Sequence, residues 1–98
     1  MEKESLISKD ENQPFRSERI ILSKGEEVGW HITHEREEII FITKGTASFM
    51  DDSGKTFLST GDSHIVSEGI RHNIANEQEE DLEYVYIVKI KIPHHPSF

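Results

Sequence analysis

Cysteine is absent from the chain. That excludes disulfide cross-links and thiolate metal ligands, so any metal must be held by His, Asp or Glu. Long apolar runs are absent too. Nothing approaches the roughly 20 residues of a membrane-spanning helix, and the opening MEKESLISKDENQPF has no apolar block of signal-peptide length. The expected setting is cytoplasmic. Positive charge is scarce, with 11 Lys and Arg against 19 Asp and Glu and a formal net charge of −8. No basic patch stands out, which argues against nucleic acid and anionic membrane as partners. Helical periodicity is also missing: no segment repeats its apolar residues every ~3.6 positions.

What is there is a series of short apolar blocks. The length, 98 residues, fits one domain. Residues 1–14 are polar and end at Pro14, and read as a flexible arm with a short strand around Leu6 and Ile7 that docks on a partner. From residue 15 the texture changes. RSERIILS (16–23) reads as a strand, and EEIIFIT (37–43) as a strand apolar on both faces and therefore covered on both sides. TASFM and KTFL flank DDSG, whose Asp, Ser and Gly mark a tight turn. SHIVS (63–67) and RHNIAN (71–76) follow, with an acidic, solvated loop EQEED after them. LEYVYIVKIKI (82–92) alternates, putting Leu82, Tyr84, Tyr86, Val88, Ile90 and Ile92 on one face. Eight or nine short strands between glycine-rich turns argue for an all-β sandwich or barrel spanning residues 15–98.

Chemistry concentrates in GWHITHEREEIIFITKG (29–45). Gly25, His31, His34, Glu38 and Gly45 follow the first motif of the cupin family: glycine, His-x-His, glutamate, glycine. Gly61, Gly69, His72 and Asn76 fall on the second, with Ser67 where proline is usual. The two motifs lie 15 residues apart, and the closing KIPHHP resembles the tail of small single-domain members. The chain is therefore identified as similar to cupins. The resemblance implies a small double-stranded β-helix, or jelly-roll, barrel and a homodimer, for which EEIIFIT and the even-numbered face of 82–92 offer surface. It also implies a divalent transition metal (Fe, Mn, Ni, Zn or Co) held by His34, Glu38 and His72, with His31 as a fourth ligand. Imidazole and carboxylate suit such ions and leave positions open for a small-molecule substrate.

The spacing His31-Ile32-Thr33-His34 departs from His-x-His, because residues three apart on a regular strand face opposite sides. Two readings stay open. A β-bulge, made easier by Gly29, brings both histidines to one face. Alternatively the strand is regular, Ile32 takes the first histidine's place and His31 points away. His64 reads as a half-buried or outer-layer group, His94 and His95 as an exposed tail, and Arg36 or Arg71 as a group able to meet an anionic substrate bidentately, with surface ion pairing the blander alternative. Trp30, Phe41, Phe49, Phe57, Tyr84 and Tyr86 read as core or interface. The function classes that follow are a metal-dependent enzyme of dioxygenase, isomerase, decarboxylase or lyase type, or a non-catalytic barrel that binds a small ligand or dimerises around a vestigial site.

Overall fold

The structure is a computed structural model that describes residues 1–8, 10 and 12–90. Among these residues the chain is all β. The strands are β1 (Glu2–Ile7), β2 (Phe15–Leu22), β3 (His31–Ile32), β4 (Arg36–Lys44), β5 (Thr46–Asp51), β6 (Gly54–Ser59), β7 (Ser63–Val66), β8 (Arg71–Ala75) and β9 (Leu82–Ile90). They form a five-stranded sheet in the order β1-β2-β9-β4-β7 and a four-stranded sheet in the order β3-β8-β5-β6. Every pairing is antiparallel.

The inner faces of the two sheets make the core. Ile20, Leu22, Ile40, Ile42, Val66, Leu82 and Tyr84 from the larger sheet meet Ala47, Phe49, Leu58 and Ile74 from the smaller one. The period of two produces this directly: Leu22 pairs with Leu82 and Ile42 with Tyr84, so apolar residues at alternate positions fall opposite one another. Gly45, between β4 and β5, has a φ of 82°, and a Cβ there would sit 2.6 Å from the Asp81 carbonyl oxygen. Only glycine permits that approach of the turn to the start of β9.

Three expectations change. The segment read as an arm carries β1, which pairs with β2 of its own chain from Glu2↔Ile21 to Ile7↔Ser17. The strand read as covered on both sides is covered on one: Ile39 and Phe41 are 44% and 45% exposed. They join Ile65 and Ile87 on the outer face, through the pairings Ile39↔Ile65 and Ile39↔Ile87. The even-numbered face of the last strand, a candidate dimer surface from sequence, is core instead, since Leu82, Tyr84 and Val88 are buried. The tail with His94 and His95 lies outside the described residues.

Candidate metal centre

A one-residue bulge turns His31 toward His72 at the exposed mouth of the barrel. Residues 25–29 run alongside β8, with Val28 N–H donating to the Ile74 carbonyl and Asn76 N–H to the Glu26 carbonyl. Glu27 bridges Ala75, and His31 pairs with His72. From Glu27 to His31 is four steps, whereas from Ala75 to His72 is three, so one strand carries an extra residue. Gly29, with a φ of 106°, lies within it, and its N–H donates to Asn73 Oδ1 at 2.8 Å. Without the bulge Trp30 would stand opposite His72. With it, His31 does.

This is neither reading of residues 31–34 drawn from the sequence. The bulge precedes His31 and does not separate the two histidines. His31 and Thr33 then take the side facing Glu38 and His72, His31 at the exposed mouth and Thr33 6% exposed, while His34 is exposed and outside the cluster. The chain reverses at Glu35, which has a φ of 56°, before β4 begins. Thr33 therefore stands where the His-x-His pattern has its second histidine, with four residues between it and Glu38. Counting the motif from His31 would have found this, because the spacing to Glu38 is allowed to be three or four.

The structure brings His31, Glu38 and His72 together, with one ligand atom from each within 4.8 Å of the others. His34 is not among them. His72 Nε2 lies 3.9 Å from Glu38 Oε2, and the two imidazole rings are 4.2 Å apart. Each histidine bonds through Nδ1 to a carbonyl two residues upstream: His31 to Gly29 and His72 to Ile70, both at 2.8 Å. A carbonyl only accepts, so both Nδ1 atoms carry the proton and both Nε2 lone pairs are free. His72 is fully buried, and its Nε2 has no hydrogen-bond partner. The Phe49 ring stacks against His72, 5.7 Å away, and fixes its plane.

Electrostatics prepare the same groups. Burial pushes the Glu38 carboxyl above its usual range, against the pull of His31, Arg36 and Arg16. Burial pushes His72 down, so the imidazole stays neutral, as a ligand must be. A cavity of about 320 Å³ opens onto the cluster; His31, Thr33 and Glu38 line it, with Arg16, Arg36 and Tyr86. Tyr86 donates its hydroxyl to Glu18. Arg16 was missed from the sequence, although the alternation Arg16, Glu18, Ile20, Leu22 puts it on the inner face. His64 is half-buried against the Phe49 ring at 4.4 Å, outside the cluster. Arg71 lies over the Trp30 ring and pairs with Asp52 at 3.6 Å on the surface. The motif residue Asn76 is structural: its amide donates to the Leu22 and Glu80 carbonyls and ties the loop after β8 to β2.

Residues 18–88 match the family of the Cupin domain. A predicted oxalate decarboxylase from Thermotoga maritima is 27% identical, with a TM-score of 0.84 and coverage of 91% of this chain and 79% of that one. A Cupin 2 conserved barrel domain protein from Salinispora arenicola is 23% identical, with a TM-score of 0.78 over 89% of this chain and 73% of that one. A sugar phosphate isomerase of the cupin superfamily from Silicibacter pomeroyi is 19% identical, with a TM-score of 0.76 over 91% and 60%. The last two likenesses speak to fold alone. No curated protein matches the chain. Among the described residues no helix is long and apolar enough to cross a membrane.

Proposed function

Because the chain belongs to the cupin family, we propose that it is a metal-dependent enzyme acting on a small molecule. A divalent transition metal (Fe, Mn, Ni, Zn or Co) is held by Nε2 of His31, Nε2 of His72 and the carboxylate of Glu38. The observation that carries this is the buried, unpartnered Nε2 of His72 facing a desolvated carboxylate, with the Nδ1 of both histidines engaged by backbone carbonyls. Polar atoms buried without partners are costly, and a cation satisfies both groups at once. Two imidazoles and one carboxylate form a donor set known for iron and related ions, with positions left open. When bound, the metal supplies a Lewis acid for an oxygen-bearing substrate.

The protein's own residues do the rest. The Gly29 and Ile70 carbonyls hold the histidine tautomers, and Phe49 fixes one ring. The likeness to a predicted oxalate decarboxylase favours lyase chemistry among the cupin reaction types. We also propose a homodimer closed through the outer patch of Ile39, Phe41, Ile65 and Ile87, and a cytoplasmic setting. Size-exclusion sizing tests the assembly.

A second reading has one observation in its favour. Thr33 offers no nitrogen where the family pattern has a histidine, as a vestigial site in a ligand-binding module would show. Metal analysis of protein purified without chelator separates the two. Stoichiometric metal, with an anomalous diffraction peak between His31, Glu38 and His72, supports the enzyme. Failure to take up any of the five metals on reconstitution supports the binding module.

A further inference from the structure

The cavity beside the cluster is positive in a strongly acidic protein. The chain carries a net charge of −8, yet Lys3, Arg16 and Arg36 line this cavity, and Glu38 is its only carboxylate among the described residues. Arg16 and Arg36 come from the inner faces of β2 and β4: Arg16 pairs with Val88, and Glu38, two residues along from Arg36, pairs with Val88 from the other side. Neither arginine makes a salt bridge within 4 Å among the described residues, and Arg16 Nε is buried without a hydrogen-bond partner. Glu18, the next inward residue on β2, is engaged by the Tyr86 hydroxyl and does not line the cavity. A buried guanidinium donor with no acceptor is an incomplete interaction.

We propose that Arg16 and Arg36 form the substrate-anchoring subsite and that the ligand is a small carboxylic acid. One carboxylate is gripped by the arginine forks while its other oxygen-bearing end faces His31 and Glu38. Guanidinium matches carboxylate bidentately. A metal that takes up the Glu38 charge leaves the cavity more positive still, so an anion is the fitting occupant. The volume of about 320 Å³ leaves room for a small carboxylic acid. The second anchor rests on the metal reading above; the arginine subsite does not.

Malonate is the probe, with neutral malonamide as its isosteric control. Binding is followed by calorimetry and by the emission of Trp30, the sole tryptophan, which lines the same cavity. Zinc-loaded wild type should bind malonate and ignore malonamide. Arg16→Met and Arg36→Met should each weaken malonate about tenfold or more, a charge-assisted hydrogen bond's worth, and Arg16→Lys should restore part of it. Zinc affinity should stay within about threefold in all three, a change far below that of a lost ligand. Metal-free protein should keep weaker, arginine-dependent binding, so a failure to take up zinc overturns the metal reading alone. Malonate binding equal in wild type and both Met variants overturns the subsite, as does equal binding of malonamide. Tighter, arginine-dependent binding of inorganic phosphate than of malonate overturns the carboxylate assignment. Thermal melts establish that each variant is folded.

Discussion

Along β2, β4 and β9 the inward residues change character from one end of the barrel to the other. Arg16 and Glu18 give way to Ile20 and Leu22; Arg36 and Glu38 give way to Ile40 and Ile42; Val88 and Tyr86 give way to Tyr84 and Leu82. At the apolar end Leu22, Ile40, Ile42 and Leu82 are fully buried. The other end holds a desolvated carboxylate and the unpartnered nitrogens of His72 and Arg16. The same strands thus run from a region where every neighbour is satisfied by packing to one where charge and lone pairs wait for a ligand. Such a division lets one end carry the fold while the other carries the cost of a prepared site.

The comparison can be broken from either end. Leu82→Ala, at the apolar end, should destabilise the protein by about 2–5 kcal/mol in urea denaturation, through lost burial and the cavity left behind. Glu38→Gln, at the other end, should leave metal-free stability unchanged or raised, since a group whose charged form is disfavoured by burial becomes neutral. The same change should weaken zinc binding by about a hundredfold or more, as removal of a ligand exceeds the loss of an outer-layer partner. A Glu38→Gln protein as unstable as Leu82→Ala would show that the two ends do not divide the work.

The pH dependence sharpens the contrast. Glu38 titrates above 4.5 in the folded protein, so without metal its contribution to stability is fully present below 4.5 and is lost as the pH rises through the folded value. His72 titrates below 6.5, so burying it neutral carries no cost above 6.5 and destabilises as the pH falls under that value. A metal takes the ionised carboxylate and the neutral imidazole, so its stabilisation grows with pH. The gain in melting temperature on adding zinc should be larger at about pH 7.5 than at about pH 5.5. Equal gains would contradict the assignment of these two ligands.

The smallest effect concerns the outer face. Ile65, 64% exposed, should tolerate Ile65→Lys with a stability change within about 0.5 kcal/mol in the isolated chain. The proposed dimer should dissociate, which sizing at several concentrations would read. An unchanged elution position would remove this patch from the assembly.

Much of this was legible in the sequence. The alternation in LEYVYIVKIKI gave β9 its inner face, and DDSG marked the turn between β5 and β6 because those residues bond locally. Glu38 and His72 sit on regular strands, so counting by two places them. His31 was harder. Its position depends on a bulge at residues 28–30, which is set by pairing with β8, more than 40 residues away in sequence, and strand alternation alone does not distinguish Trp30 from His31 as the inward residue. The outer faces were misjudged for a related reason. An apolar residue on a strand does not say whether a second layer of the same chain covers it, so Ile39 and Phe41, on a strand read as covered on both sides, stand exposed in the single chain. Arg16 was overlooked because a charged residue at the start of a strand reads as solvent-facing.

The most direct test compares two histidines three positions apart. His31→Ala and His34→Ala are prepared alongside wild type, reconstituted with zinc or cobalt, and assayed for bound metal. The geometry predicts that His31→Ala loses the ion while His34→Ala retains it at the wild-type level. Retention by His31→Ala together with loss from His34→Ala would contradict the bulge, the donor set and the function built on them.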